Sequence, residues 1–410
     1  MGEAGLEERF FIDAMSPAFR EDPYPYYDSY RGADRLVRAN ETIWLSFTHA
    51  DVWAMLRHPR LSSNEARATT EIGLSAAERA RKRSLLFMDP PDHTRLRGLV
   101  AKAFTPRRIE GMRGTTESIC AELTNDILAR HGDGQPFDLI EALAYPLPVR
   151  VICSLLGVPA ADEQVFTGWS RALAKSLDPS VLRSAEAEAA ICEAEIGLNG
   201  YLSDLLAARR HAPGDDLLSD LLAIQEGGDR ITAEEVVQLA KLLLVAGHET
   251  TVNLIGNSVL ALLRSPGQLD LLARQPELVA GAVDELLRYD SPVQINQRIA
   301  TEDLELAGAP VRAGDEIVLV LGAANRDPVV FADPGRVDVT RDAHRHVAFG
   351  GGIHHCLGAA LARLEGQVAL SALIARIGRL ELAGPAVRRP TFVLRGLESL
   401  PVAVARPAGA

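Results

Sequence analysis

Phe349-Gly350-Gly351-Gly352-Ile353-His354-His355-Cys356-Leu357-Gly358 is the stretch on which the reading of this chain turns. An aromatic residue opens a run of three glycines, a single cysteine follows, and small residues come next at Ala359-Ala360. The glycines permit positive φ and close backbone approach. A helix starting at Leu357-Gly358 would aim unpaired N–H groups and the positive end of its dipole at Cys356, which favours a thiolate. Such a loop can hold a lone thiolate toward a metal and leave room for a flat macrocycle. The bland alternative is a buried structural cysteine, and for a lone Cys taken at random that alternative wins. Two other readings fail on detail. Gly350-x-Gly352 lacks the third glycine of a dinucleotide loop, with no clear strand leading into it. His354, His355 and Cys356 are adjacent, so they rarely point at one zinc ion, and no fourth ligand is apparent.

Around this loop lie 410 residues with a net charge of −12 and 47% hydrophobic content. That content is ample for a full core. The acidic balance disfavours nucleic acid and anionic membrane as partners. The cysteines, Cys120, Cys153, Cys192 and Cys356, are not spaced as a zinc knuckle or a redox pair. Their scarcity fits a reducing cytoplasm without structural disulfides. The N-terminal Met1-Gly2-Glu3-Ala4-Gly5-Leu6-Glu7-Glu8 lacks the apolar core of a signal peptide. No apolar run reaches the roughly eighteen residues of a membrane span.

Most of the chain reads as helix, including the Ala-, Leu- and Glu-rich stretch from Ala160 to Leu206. Strand-like runs are few: Thr42 to Phe47, Glu316 to Leu321, and Leu400 to Val404. The expected fold is mainly α, one domain over residues 1–410, with an α-rich body and a small β-rich lobe. One helix stands out. Thr232-Ala233-Glu234-Glu235 is a capping box opening a long apolar segment that stops near Ser265-Pro266. At that length it spans roughly 50 Å. It is apolar nearly all round from Val236 to Ala246, then turns polar at His248-Glu249-Thr250-Thr251. Buried helices avoid such a cluster unless it has a partner or a function. Gly247 would let a small molecule such as dioxygen lie against the helix. Thr250 could donate a hydrogen bond there while Glu249 passes protons inward. The alternative is a threonine bonding back to its own helix. A zinc-protease motif is excluded because position 252 is Val.

Glu285 and Arg288 lie three apart on one face of an otherwise apolar helix. Asp92 can cap a helix carrying His93 and Arg97, Arg298 follows the break at Ser291-Pro292, and His354 lies in the cysteine loop. Buried anionic groups such as heme propionates require cations of this kind.

Together these segments resemble the cytochrome P-450 family of heme-thiolate monooxygenases in its soluble bacterial form, over nearly the whole chain. The cysteine loop matches the family's heme signature at Phe349, Gly350, Gly352, His354, Cys356, Leu357 and Gly358. The resemblance implies heme b (iron protoporphyrin IX) with Cys356 as its metal ligand and Phe349 beside the sulfur. It implies propionate contacts from His93, Arg97, Arg298 and His354, with Ala246 and Gly247 also near the cofactor. Glu285 and Arg288 would form a structural ion-pair network completed by Arg336. Glu249 and Thr250 match the acid–alcohol pair of oxygen activation, and the intact pair argues against a peroxide-driven relative. A substrate pocket is expected from Leu85, Leu86, Phe87, Leu243, Ala246, Gly247, Val293, Gln294 and Ile295, with a lid around Leu173 to Leu182. The implied reaction inserts one oxygen atom from O2 into an apolar organic substrate by hydroxylation or epoxidation, in secondary metabolism such as polyketide or macrolide tailoring. Electrons would come from NAD(P)H through a ferredoxin and its reductase, docking near Arg107, Arg108 or Arg113. A peroxygenase and a non-catalytic heme sensor or carrier are the competing readings.

Overall fold

The computed structural model describes residues 6–32, 35–69, 84–179, 183–226 and 231–405. The long helix forms as its sequence dictates. Thr232 Oγ1 accepts from the Glu235 N–H at 3.1 Å, and Glu235 Oε2 accepts from the Thr232 N–H at 2.8 Å. This reciprocal cap starts the helix Ala233–Leu263, which stops just before Ser265-Pro266. Every residue from Thr251 to Leu262 is buried. The stretch from Ala160 to Leu206, by contrast, divides into helices Glu163–Ala174 and Ala185–His211. Between them Asp178 accepts the N–H groups of Phe392 and Val393 at 3.0 and 2.8 Å, and Ser184 caps the second helix.

The β-rich part is a five-stranded sheet in the spatial order Val37–Arg38, Ile43–Ser46, Glu316–Val320, Ile295–Ala300, Leu61–Ser62. Ile43–Ser46 runs parallel to Glu316–Val320, with Ile43 beside Glu316 and Leu45 beside Val318. The other pairings are antiparallel. The predicted C-terminal strand appears as Pro401–Val404, between Phe137–Asp138 and Leu380–Leu382. Those two partners are too short to have shown a period in the sequence.

Three apolar clusters hold these elements. The largest joins the long helix to helices Pro146–Leu156, Val279–Tyr289 and Ala359–Ala372. The second lies under the sheet around Trp44, Ile317 and Leu319. The third packs Phe10, Phe19, Tyr30 and Phe47, with the Phe10 ring edge-on to the other three. The cysteine loop sits at the seam of the first two. Val347 belongs to the sheet cluster, whereas Phe349 and Leu357 pack on the helical one. Among the described residues no helix is long and apolar enough to cross a membrane.

Candidate active site

Backbone conformation explains the glycines of the cysteine loop. Gly350 and Gly352 adopt φ of +67° and +65°, the region that penalises L side chains. A Cβ on Gly352 would also lie 2.6 Å from the Leu56 carbonyl oxygen. The Cys356 N–H donates to the Phe349 carbonyl at 2.9 Å and closes the loop. Burial pushes the Cys356 thiol up, while the Gly358 N–H, Arg97 and Arg363 act in the opposite direction. Although Cys356 lies deep among protein atoms, its side chain remains accessible. Cys120 and Cys153 are fully packed and have thiols pushed up to about 11 and about 12 by burial. Those two are the structural cysteines, and Cys356 is not of their kind.

An ion-pair knot anchors the loop from behind. Glu285 and Arg288 are both fully buried. Arg288 Nε and Nη2 donate to the Glu285 carboxylate at 2.6 and 2.9 Å. Its Nη1 donates to the carbonyls of Asn325 and Pro334, and Nη2 also to that of Arg336. All five guanidinium donors are thereby used. Arg336 therefore enters the network only through its backbone carbonyl. Its side chain is 68% exposed and faces Asp338 at 3.6 Å. The second charged side chain on Glu285 is Arg341, at 3.2 Å. The expected role of Arg336 is thus corrected: the turn after Asp333 spends residue 336 on a carbonyl contact and brings residue 341 back to the carboxylate. Asn325 Oδ1 accepts the Val347 N–H at 2.7 Å and links the knot to the start of the cysteine loop. Asp284 makes a second link, to His346 at 3.0 Å and Arg363 at 2.8 Å. Asn325, Asp284, His346 and Arg363 carried no local signal, because these contacts span long sequence separations.

On the other side of the loop the structure gathers the predicted cations. His93, on the helix Asp92–Ala103, is 1% exposed, and neither ring nitrogen has a hydrogen-bond partner. Its ring centroid lies 4.2 Å from that of His354, whose Nε2 is also unpartnered. Burial, together with the charges of His93, Arg298 and Arg97, pushes His354 down to about 3. Arg298 is 4% exposed, and burial lowers it to about 10. Arg97 donates to the His355 carbonyl. Asp92 is the first helical residue and does not cap; Pro91 precedes it. Arg298 Nη1 donates to Asn296 Oδ1 and the Gln297 carbonyl. Buried polar atoms are nearly always paired, so three unpartnered ring nitrogens of His93 and His354, with two arginines alongside and an accessible thiol nearby, fit a cofactor bearing two carboxylates. Among the described residues no group of three His, Cys, Asp or Glu comes together to hold a metal.

The long helix supplies the facing wall. Arg95, on the His93 helix, pairs with Glu235 at 2.5 Å and ties the two together. Ala246 is exposed in the middle of this helix, and Leu243 and Thr250 share its stripe. Thr250 Oγ1 donates to the Ala246 carbonyl at 2.8 Å. Gly247 is turned elsewhere: a Cβ there would lie 3.0 Å from Ile152 Cδ1. The small residue on the open face is therefore Ala246, and Gly247 serves close packing of the Pro146–Leu156 helix. Glu249 is 1% exposed and bonded to Arg389 Nη1 at 2.6 Å. Burial raises its carboxyl, but His248 and Arg389 outweigh that and hold it down to about 2. Arg389 was invisible in the sequence because it lies 140 residues away.

Several expected pocket residues are placed otherwise. Gln294 accepts from Tyr27 Oη at 3.1 Å and donates to the Ser291 carbonyl at 2.7 Å. Its amide is thus committed to the N-terminal aromatic side, where it lines a separate cleft with Arg388 and Arg395. Ile295 packs on that aromatic cluster and Val293 on the sheet cluster. Leu85 is a core residue, Leu86 is 40% exposed, and Phe87 is half-buried. Leu173 is buried, and residues 180–182 of the expected lid lie outside the described residues. Of the three docking arginines, Arg108 is paired with Asp220 and Arg113 with Glu110, leaving Arg107 as the exposed one.

An accessible thiol at a glycine turn, a satisfied knot behind it and a buried cation cluster beside it define a heme-thiolate enzyme. A sequence profile described as Cytochrome P450 matches residues 273–377. The vitamin D(3) 25-hydroxylase of Pseudonocardia autotrophica is 43% identical over 398 residues, 95% of this chain and 96% of that one. The cytochrome P450 monooxygenase PikC of Streptomyces venezuelae is 43% identical over 400 residues, covering 95% and 93%. The ligand-free crystal structure of Mycobacterium smegmatis CYP164A2 superposes with a TM-score of 0.89 at 42% identity, covering 97% and 100%. The chain belongs to the cytochrome P450 family and is a monooxygenase with a heme-iron cofactor.

Proposed function

We propose that this chain folds as one cytoplasmic domain and uses heme b to hydroxylate or epoxidise an apolar secondary metabolite of the polyketide or macrolide kind. Electrons would come from NAD(P)H through a ferredoxin and its reductase. Relatives named as a vitamin D(3) 25-hydroxylase and a 6-deoxyerythronolide B hydroxylase support an apolar substrate. The bound heme would supply the activation of dioxygen. Cys356 would ligate its iron, and His93, Arg97, Arg298 and His354 would take its propionates. The observation that carries this assignment is the contact of buried His93 with half-buried His354, with three unpaired ring nitrogens between them, beside an accessible thiol.

Leu243 and Ala246 would orient the substrate along the open stripe of the long helix, with Phe87 near the mouth. Thr250 holds its hydroxyl proton on the Ala246 carbonyl. A small rotation would re-aim that proton along the open stripe, where Ala246 is small enough to leave room. Glu249 would replenish it, which requires the carboxylate to exchange Arg389 for Thr250. Turnover measured with NAD(P)H, ferredoxin and reductase, or with peroxide alone, tests the reading. Product is expected with the reductase chain, and Thr250→Ala should lower product per NAD(P)H by at least about tenfold. Equal turnover from peroxide alone, or unchanged yield in Thr250→Ala, would contradict it.

A further inference from the structure

The acid of the long helix has a neighbour that the proposed reaction does not yet use. His248 is 1% exposed. Its Nδ1 lies 2.6 Å from the Leu244 carbonyl oxygen, one turn earlier. A carbonyl can only accept, so Nδ1 must carry a hydrogen. That leaves Nε2, which stands 3.5 Å from Glu249 Oε1. This is an ion-pair distance just beyond good hydrogen-bond geometry. Neither atom has any other hydrogen-bond partner. An imidazole nitrogen without a hydrogen would set a lone pair against a carboxylate oxygen, two acceptors facing each other in a buried site. The contact is favourable only when a proton lies between them.

The charged and titratable groups around the pair are few. Arg389 reaches Glu249 Oε2 from the C-terminal segment at 2.6 Å. The Tyr145 ring stands edge-on to the imidazole at 5.9 Å. Arg171 lies 4.3 Å over the Tyr145 ring, pairs with Glu141, and acts on Glu249 through its charge. All the cations act on the carboxylate in one sense. They keep it anionic, so a proton for delivery must be held by a neighbour.

We infer that His248 is a positioning residue for proton delivery, holding on Nε2 the proton that passes to Glu249 Oε1 when that carboxylate leaves Arg389 for Thr250. The inference rests on Glu249 acting as the acid of the proposed reaction. In the step the Nε2–H bond breaks and the Oε1–H bond forms. The electron pair stays on Nε2, and the neutral imidazole later regains a proton from solvent water.

Infrared difference spectra of the holoenzyme between neutral and acid pH test this directly, with Glu249→Gln identifying the carboxyl band. Glu249 is held down to about 2 in the native chain. His248→Phe removes the imidazole that helps hold the Glu249 carboxyl down while Arg389 remains, so the protonated-carboxyl band should appear at higher pH. His248→Gln keeps an N–H donor but has no proton to give, and it carries the test if the Phe variant does not fold. Both variants should lose at least about fivefold in product per NAD(P)H and flatten the pH profile of that yield. An unmoved band in His248→Phe, or native yield in both variants, overturns the inference. A native enzyme that gives no NAD(P)H-dependent product overturns the proposed function instead, and the infrared result still decides the His248–Glu249 pairing.

Discussion

Two buried polar clusters flank the cysteine loop, and they are built on opposite principles. Behind the loop, Arg288 uses all five donors and Glu285 accepts from two arginines and the Asp338 N–H. Beside it, His93 has neither nitrogen bonded, His354 lacks one partner, and Arg298 is lowered by burial with only Asp89 opposing the shift. The first cluster is complete within the chain. The second is only partly satisfied: Arg298 and Arg97 donate to Asn296, Gln297 and His355, but the chain offers nothing to the His93 ring nitrogens or to His354 Nε2. Satisfied buried networks rigidify a fold, whereas an unsatisfied one costs stability unless a ligand completes it. The knot is therefore read as structure and the cation cluster as a binding site, although each is built around a buried arginine.

The largest expected effect falls on the knot. Glu285→Ala leaves Arg288 and Arg341 without their carboxylate and should cost roughly 3–5 kcal/mol. It would be read as lost soluble protein or a lowered denaturation midpoint. A cost below about 1 kcal/mol would erase the contrast between the clusters. The next effect belongs to the binding site. Arg298→Leu should release heme to a scavenger protein roughly ten to a hundred times faster, the equivalent of a lost charge-assisted hydrogen bond of about 1.5–3 kcal/mol. In the heme-free chain the variant gives up the donations to Asn296 and Gln297 together with a charge that burial disfavours, so its stability should stay near native. Heme retention equal to native would show that the cluster is not completed by the cofactor. The smallest effect sharpens the membership of the knot. Arg341→Ala should cost roughly 1–3 kcal/mol, and Arg336→Ala under about 0.5 kcal/mol. The reverse order in matched denaturation curves would restore Arg336 to the network.

The sequence was most legible where function rests on short spacings. The Phe349–Gly358 loop, the Thr232–Glu235 cap and the Glu285–Arg288 pair each announce themselves within ten residues, and each is present as read. The mainly α fold with a small sheet was legible too, because β-branched runs such as Glu316–Val320 are scarce. What escaped was everything decided by which way a side chain turns. Gly247 and Ala246 are adjacent and both small, yet only the second is on the open face. Gln294 sits where a pocket residue was expected, but its amide finds Tyr27 and Ser291. Arg336 and Arg341 are five apart, and the turn between them chooses the second. Arg389 closes on Glu249 across 140 residues, a pairing that no periodicity encodes.

The claim beneath all of this is ligation of heme iron by the Cys356 sulfur. The absorption spectrum of the reduced, carbonyl-bound protein tests it most directly, read for the native chain and for Cys356→His. The native protein should show the thiolate-type band and the variant a histidine-type band. A histidine-type band from native protein, or a thiolate-type band that survives in Cys356→His, would contradict it.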